Sequence, residues 1–222
     1  SYIPNFEKKN TFEFIKHLNI NDYNNLDDLK ILSKYWIESQ KRIKINGDFS
    51  FFKSHSANIS LFNYPYTNDV ASLGLIYLVR DPRDIAISYS YHQRKSIDQI
   101  IKIMTTTGAL TFTSNKKGKR YPIIMSRWDE HYISWKNLKV PKFIIKYERL
   151  LNDTKKVLEE MVDFFQQNYQ IVIKNHKEKI KNIVKSTNFE ILQNYEKKYG
   201  FKESSKSIFF RNGKEGQWKK EL

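Results

Sequence analysis

The run Leu78-Val79-Arg80-Asp81-Pro82-Arg83-Asp84-Ile85-Ala86-Ile87-Ser88 constrains this chain more than any other stretch. Ile76 to Val79 is apolar and β-branched enough to read as a buried parallel strand. Pro82 suits the first turn of a helix that Ile85, Ala86 and Ile87 continue. A strand that passes so directly into a helix is the building unit of an α/β layer fold. It also delivers Arg80 to the carboxyl end of its strand. Ser88 lies one helical turn, about 6 Å, beyond Asp84, so its hydroxyl and the Arg80 guanidinium can converge on one tetrahedral anion. The plainer alternative pairs Arg80 with Asp84 and leaves Ser88 against a neighbouring strand.

Two further stretches carry chemistry. In Phe209-Phe210-Arg211-Asn212-Gly213-Lys214-Glu215-Gly216-Gln217-Trp218-Lys219, Gly213 and Gly216 permit backbone angles that bring main-chain N–H groups close to an oxyanion, and Arg211 adds a planar fork of donors. A solvated basic tail is the alternative. Phe51-Phe52-Lys53-Ser54-His55 reads as the end of an apolar strand, and strand alternation puts Lys53 and His55 on one side, with Ser54 on the other. A neutral imidazole there can take a proton from an attacking hydroxyl. A neighbouring ammonium keeps that imidazole neutral and steadies charge on a leaving group. The remaining histidines, His17, His92, His131 and His176, read as structural.

At these residues the chain resembles the sulfotransferases that use 3'-phosphoadenosine 5'-phosphosulfate. Arg80, Asp84 and Ser88 match that family's strand followed by Arg-x-x-x-Asp-x-x-x-Ser. The 209–219 stretch is similar to its Arg-Lys-Gly-x-x-Gly-x-Trp loop, and Lys53-Ser54-His55 stands where the family has Lys-Thr-His. The resemblance implies that Arg80 and Ser88 hold the 3'-phosphate and that Arg211, Asn212 and Gly213 close over it. Asn212 replaces the usual lysine, which removes one positive charge. His55 becomes the general base and Lys53 its electrophilic helper. Phe143-Ile144-Ile145-Lys146-Tyr147-Glu148 resembles a family strand whose tyrosine lies near the adenine, although Tyr147 also fits an ordinary core. Ser186-Thr187-Asn188-Phe189 resembles the cluster that lines the adenine pocket, where Thr187 bonds the base and Phe189 stacks on it. Thr187 would equally serve as the N-cap of a helix starting near Phe189.

The implied fold is α/β: a parallel sheet flanked by helices, of the three-layer nucleotide-kinase kind, with the cofactor across the strand ends. One family element is not found. The first strand and its Tyr-Pro-Lys-Ser-Gly-x-Thr-Trp loop, which hold the 5'-phosphosulfate, have no counterpart in Tyr2-Ile3-Pro4-Asn5, and Phe12 to Leu18 already reads as a helix. The expectation is therefore a single domain over residues 1–222 that lacks its first strand. The implied reaction moves a sulfuryl group to a hydroxyl or amine of a small-molecule or glycan acceptor and leaves adenosine 3',5'-bisphosphate. In-line displacement of this kind needs positioning and charge stabilisation rather than a metal. The absence of cysteine and of clustered histidine-carboxylate spacing agrees with that expectation.

The formal charge of +15 raises a competing possibility, a basic module that binds nucleic acid through phosphates. Basic runs lie at Lys116–Arg120 and Lys174–Lys185, but no zinc-finger, RNA-recognition or leucine-zipper pattern accompanies them. The repeat of Lys177, Lys181 and Lys185 reads as a solvated helix face. A bisphosphate-binding chain without turnover is the other alternative. With 40% hydrophobic residues, 222 positions suffice for one sizeable core. No membrane-spanning run or secretory pattern is present, and the expected compartment is the cytoplasm. Other elements expected are helices over Leu26–Gln40, Met125–Trp135 and the stretch after Asp153. A loop is expected at Asn63-Tyr64-Pro65, and a helix followed by a polar stretch across Lys95–Arg120.

Overall fold

The computed structural model describes residues 6, 26–43, 47, 49–114, 120–201 and 207–222. The segments expected at residues 2–5 and 12–18, and most of the basic run at 116–120, lie outside them. The chain gathers into two compact units. One comprises residues 1–74 and 103–140, the other residues 75–102 and 141–222.

In the first unit, α1 (Leu26–Lys34) and α2 (Trp36–Arg42) replace the single helix expected over 26–40. The break is slight. Tyr35 sits at φ −103° and ψ 0°, yet the Ser39 amide still donates to the Tyr35 carbonyl at 2.8 Å. The apolar stripe therefore survives the break, and Leu29, Leu32 and Trp36 are all buried. Trp36 meets Tyr66 edge-on at 5.2 Å between centroids, and Tyr66 in turn meets Trp135 at 6.4 Å. Phe6, Ile59 and Leu61 pack around this cluster together with buried Ile124. Aromatic edges fill the core here in place of aliphatic bulk.

Two hairpins in this unit differ from the sequence expectation. The loop expected at Asn63-Tyr64-Pro65 is a two-residue hairpin, β1 (Ser60–Leu61) against β2 (Tyr64–Pro65), turned by Phe62 and Asn63 at φ 52° and 68°. Two left-handed residues in succession make the turn whose twist matches antiparallel strands. The stretch after the helix α4 (Ile97–Met104) is also no polar loop. It forms β4 (Leu110–Ser114), paired antiparallel with β5 (Arg120–Ile124). Thr111 and Thr113 counted as polar in the sequence, but threonine is β-branched and suits a strand. Helix α5 (Trp128–Lys136) then begins three residues later than expected.

The second unit holds the parallel pair that the sequence implied. β3 (Leu75–Val79) runs beside β6 (Lys142–Lys146) with Leu75 opposite Lys142 and Val79 opposite Lys146. From β3 the chain turns into α3 (Pro82–Gln93), where Ala86 and Ile87 are buried. From β6 it passes into α6 (Tyr147–Asn152), so Tyr147 opens a helix and does not end the strand. Next come α7 (Thr154–Tyr169), capped by the Asp153 carboxylate on the Lys156 amide, α8 (His176–Ser186) and α9 (Phe189–Tyr199). The architecture is α/β. Among the described residues no helix is long and apolar enough to cross a membrane.

Candidate active site

The strand-to-helix turn of the second unit is built by carboxylates that receive backbone amides. Asp81 is the N-cap of α3, and its side chain accepts the Arg83 amide at 2.9 Å. Its own amide donates to Glu148 Oε1 at 3.0 Å, which ties the end of β3 to the start of α6. The Arg83 guanidinium returns to Asp81 at 2.7 Å, and its central carbon lies 3.5 Å from the centre of the Trp218 ring. The hydrogen bond from Arg83 holds the Asp81 carboxyl below the usual aspartate range, and the same contact raises Arg83.

Arg80 does not pair with Asp84. The Asp84 carboxylate is fully buried and accepts two main-chain amides from the C-terminal stretch, Gly216 at 2.7 Å and Trp218 at 3.1 Å. Arg80 is left to a different set of contacts. Its guanidinium lies 4.4 Å from the centre of the Tyr147 ring, and Nη2 donates to the Lys214 carbonyl at 3.2 Å. Its Nε is buried and has no hydrogen-bond partner among the described residues. A buried N–H without an acceptor is costly, and such a group commonly awaits a ligand. Two turns into α3, half-buried Ser88 follows Asp84 on the helix.

The C-terminal loop is held at both ends. Glu196, buried on α9, accepts the Phe209 and Phe210 amides at 2.7 and 2.8 Å, so it does for the start of the loop what Asp84 does for its end. Gly213 has φ 60°, and a Cβ there would fall 2.3 Å from Phe189 Cδ2, which brings the Phe189 ring and the loop backbone into direct contact. Arg211 is engaged by protein groups. It stacks over Tyr91 at 4.0 Å, donates to Gln217 Oε1 and lies 3.8 Å from Glu221. Asn212 is half-buried beside it. Thr187 is exposed and ends α8, its hydroxyl donating to the Ile183 carbonyl at 2.7 Å. Asn188, not Thr187, caps α9, and its side chain accepts the Glu190 amide. The second unit therefore links Arg80, Tyr147 and the loop at Lys214, and separately Phe189 and Gly213. It leaves Thr187 at the surface.

In the first unit, Lys53 and His55 lie on irregular chain, where the Phe6 amide bridges to the Lys53 carbonyl at 2.7 Å. Two phenylalanines before a lysine suggested a strand, whereas the chain at Phe51 and Phe52 is irregular and Phe51 is half exposed. The chain after His55 is tightly fixed. Ser56 and Ala57 are buried, the Ala57 amide donates to the Ile124 carbonyl at 2.6 Å, and the Ile124 amide donates to Ser56 Oγ at 3.2 Å. The His55 side chain stands at the exposed edge of this fixed segment, with Lys53 half-buried two residues before it. No group of three or more metal-ligating side chains occurs among the described residues.

Sequence reasoning missed the roles of Asp84, Glu148 and Glu196. Each is an acid whose partners are main-chain amides of another segment, from 13 positions away for Glu196 to 134 for Asp84, and composition gives no signal for such a contact. The one available clue was position, since Asp84 lies within the strand-turn-helix motif.

Fold and site together put the chain among α/β proteins whose strand-to-helix turn carries an arginine bonded to a glycine-bearing loop. Its family is more specific. Residues 3–222 match the model of the sulfotransferase domain, and the chain belongs to that family. It is 25% identical over 194 residues to a 3-beta-hydroxysteroid sulfotransferase of Cavia porcellus, a match covering 83% of this chain and 62% of that protein. It is 22% identical to sulfotransferase 2A1 of Macaca fascicularis, over 84% of this chain and 64% of that one. The chain thus spans somewhat less than two thirds of the length of these relatives. Solved structures share the fold. A mouse sulfotransferase, SULT7A1, complexed with PAP superposes with a TM-score of 0.56 at 20% identity, over 86% of this chain and 65% of that one. Retinol dehydratase in complex with androsterone and inactive cofactor PAP gives 0.55 at 20% identity, over 87% and 55%.

Proposed function

We propose that this protein is a sulfotransferase domain, one domain over residues 1–222, that binds 3'-phosphoadenosine 5'-phosphosulfate and transfers its sulfuryl group to a hydroxyl or amine acceptor. The observation that carries the reading is Arg80, a strand-end arginine with a buried, unpartnered Nε, bonded through Nη2 to the glycine loop that the family motif predicts would meet it. With Asp84 committed to the Gly216 and Trp218 amides, the charge of Arg80 is not neutralised by the nearest acid on α3. Arg80 and Ser88 would hold the 3'-phosphate, with Gly213 and Asn212 beside it. Tyr147 and Phe189 offer flat faces for the base, and Thr187 a hydroxyl. Arg211 fits less directly, because Tyr91, Gln217 and Glu221 already engage it. Its role is then to shape the loop, unless an anion draws the guanidinium away from these partners.

When bound, the cofactor supplies an activated sulfuryl group whose leaving group is the bisphosphate. His55 takes the acceptor's proton and Lys53 steadies the negative charge that develops. An alcohol of the hydroxysteroid kind is the first acceptor to test, given the name of the Cavia porcellus relative. Other small molecules and glycans come after it. A reducing compartment such as the cytoplasm suits a chain without cysteine. A second reading, bisphosphate binding without turnover, draws on the 62% and 64% spans of the curated relatives.

Calorimetric titration with adenosine 3',5'-bisphosphate and with 5'-AMP, on the wild type and on Arg80→Ala, tests the proposal. A preference for the bisphosphate of about tenfold or more, abolished by the substitution, is expected for a charge-assisted contact. Equal affinity for the two nucleotides would refute the 3'-phosphate site. Acceptor-dependent release of the bisphosphate then separates an enzyme from a binder.

A further inference from the structure

The histidine on α5 read from sequence as structural faces the segment that carries the proposed base. Within the first unit, three side chains from one face of α5 (Trp128–Lys136) bond consecutive parts of the backbone from His55 to Asn58. His131 Nε2 lies 3.1 Å from the His55 carbonyl, Trp135 Nε1 donates to the Ser56 carbonyl at 2.9 Å, and Ser134 Oγ accepts the Asn58 amide at 2.9 Å. Positions 131, 134 and 135 are the three-and-four spacing of a single helix face. Core packing alone explains Trp135, which also abuts Tyr66. It does not explain His131, whose ring is only partly buried and whose nitrogen points at a main-chain oxygen.

We infer that α5 sets the position of His55, with His131 as the positioning residue whose Nε2–H fixes the His55 carbonyl and so the origin from which the His55 side chain projects. This rests on the reading of His55 as the base. The geometry gives the device its sense. His55 is the last exposed residue before a buried stretch, Ser56 and Ala57, that β5 holds through Ile124. Before His55 the chain is irregular: the Phe6 amide bridges to the Lys53 carbonyl, the Ser54 hydroxyl meets the Tyr66 hydroxyl at 3.1 Å, and Phe49 and Phe51 are exposed. The N–H of the His55–Ser56 peptide donates to the neighbouring Ser54 Oγ at 3.1 Å, a local contact, whereas its carbonyl bond to His131 ties the peptide to a distant helix. A base must keep its nitrogen within a few tenths of an ångström of a productive position, and a rotation of that peptide would displace the imidazole by far more. The bond requires a proton on His131 Nε2, because a carbonyl can only accept.

The inference is tested with three variants of the full chain. Glutamine places a donor where His131 Nε2 lies, asparagine falls about one bond short, and leucine removes the donor, so His131→Gln, His131→Asn and His131→Leu separate reach from bulk. The first readout is 15N relaxation at the His55 and Ser56 amides, with the Ala57 amide as a control for folding. The wild type and His131→Gln are expected to stay near the rigid limit, with order parameters of about 0.85, while His131→Asn and His131→Leu fall toward 0.6. The second readout is turnover with donor and an alcohol acceptor. There kcat should drop about tenfold in His131→Leu, with the donor KM unchanged and glutamine restoring the rate. Unchanged order at His55 and Ser56 in both His131→Leu and His131→Asn overturns the inference, as does glutamine behaving like leucine. The base itself is judged separately by His55→Ala. If that variant turns over normally the base assignment fails, whereas the relaxation data still decide whether α5 anchors the segment.

Discussion

Asp84 offers the sharpest test of how the second unit is assembled. Its carboxylate is wholly buried and holds Gly216 and Trp218 by their amides at 2.7 and 3.1 Å. Hydrogen bonds to a charged acceptor contribute about 1.5–3 kcal/mol each, so the pair amounts to roughly 3–6 kcal/mol of docking for the end of the loop. Asp84→Asn keeps the volume and one acceptor oxygen but turns an NH2 toward the other main-chain N–H. At least one bond is lost, about 2–3 kcal/mol after some relaxation, which corresponds to roughly 30- to 150-fold more frequent opening of the loop. Stacking of Arg83 on Trp218 at 3.5 Å remains in the variant, but an exposed cation–π contact returns only about 0.5–1 kcal/mol. Native-state hydrogen exchange is the assay. Gly216 and Trp218 should exchange faster by that factor, while the amides of β3 and β6 report the global stability and change little. Exchange at Gly216 and Trp218 within twofold of the wild type would refute the reasoning. An equal acceleration at every amide would also refute it, because Asp84 would then support the whole unit and not the loop.

Two other outcomes follow from the same unit. Gly213→Ala puts a methyl group 2.3 Å from Phe189 Cδ2 at a φ of 60°, so the ring or the loop must shift. A loss of about 1–3 kcal/mol in thermal unfolding is expected, and Gly213→Ala combined with Phe189→Leu should recover part of it if the clash is the cause. Acidification acts on the Asp81–Arg83 pair. The bond from Arg83 lowers the Asp81 pKa in the folded state, so the pair's contribution is complete above the ordinary aspartate value of 3.8 and is lost as pH falls through the lower folded value. The Trp218 indole resonance should therefore stay constant down to about pH 4 and shift only below it. A shift centred near neutral pH would assign the change to another group.

Much of the site was legible because its motifs are local. Strand, proline and helix follow one another within eleven residues around Arg80, and both glycines of the C-terminal loop adopt the positive φ that their positions suggested. Local rules also placed the helix after Asp153, which the structure shows capped by the Asp153 carboxylate. They failed where a strand needs a partner. Phe51 and Phe52 have strand-like composition but lie on irregular chain among the described residues, whereas Leu110–Ser114 has a polar look and pairs along its length with Arg120–Ile124. Pairing is a property of two segments, and neither sequence alone contains it.

What the sequence determined by itself is the set of chemical groups and their local conformations: an arginine at a strand end, a serine two turns into its helix, glycines in a loop, and a histidine beside a lysine. These depend on residues within a few positions of one another, where propensity and capping act. Tertiary structure decided which groups remain available. Asp84 could have neutralised Arg80, but folding directs it to two amides more than 130 positions away, leaving the Arg80 Nε buried and unpartnered. His131 could have been core, but folding sets it against the carbonyl of His55. The physical reason is the same in both cases. A buried polar group must find a partner, and that partner is chosen by which distant segment packs beside it.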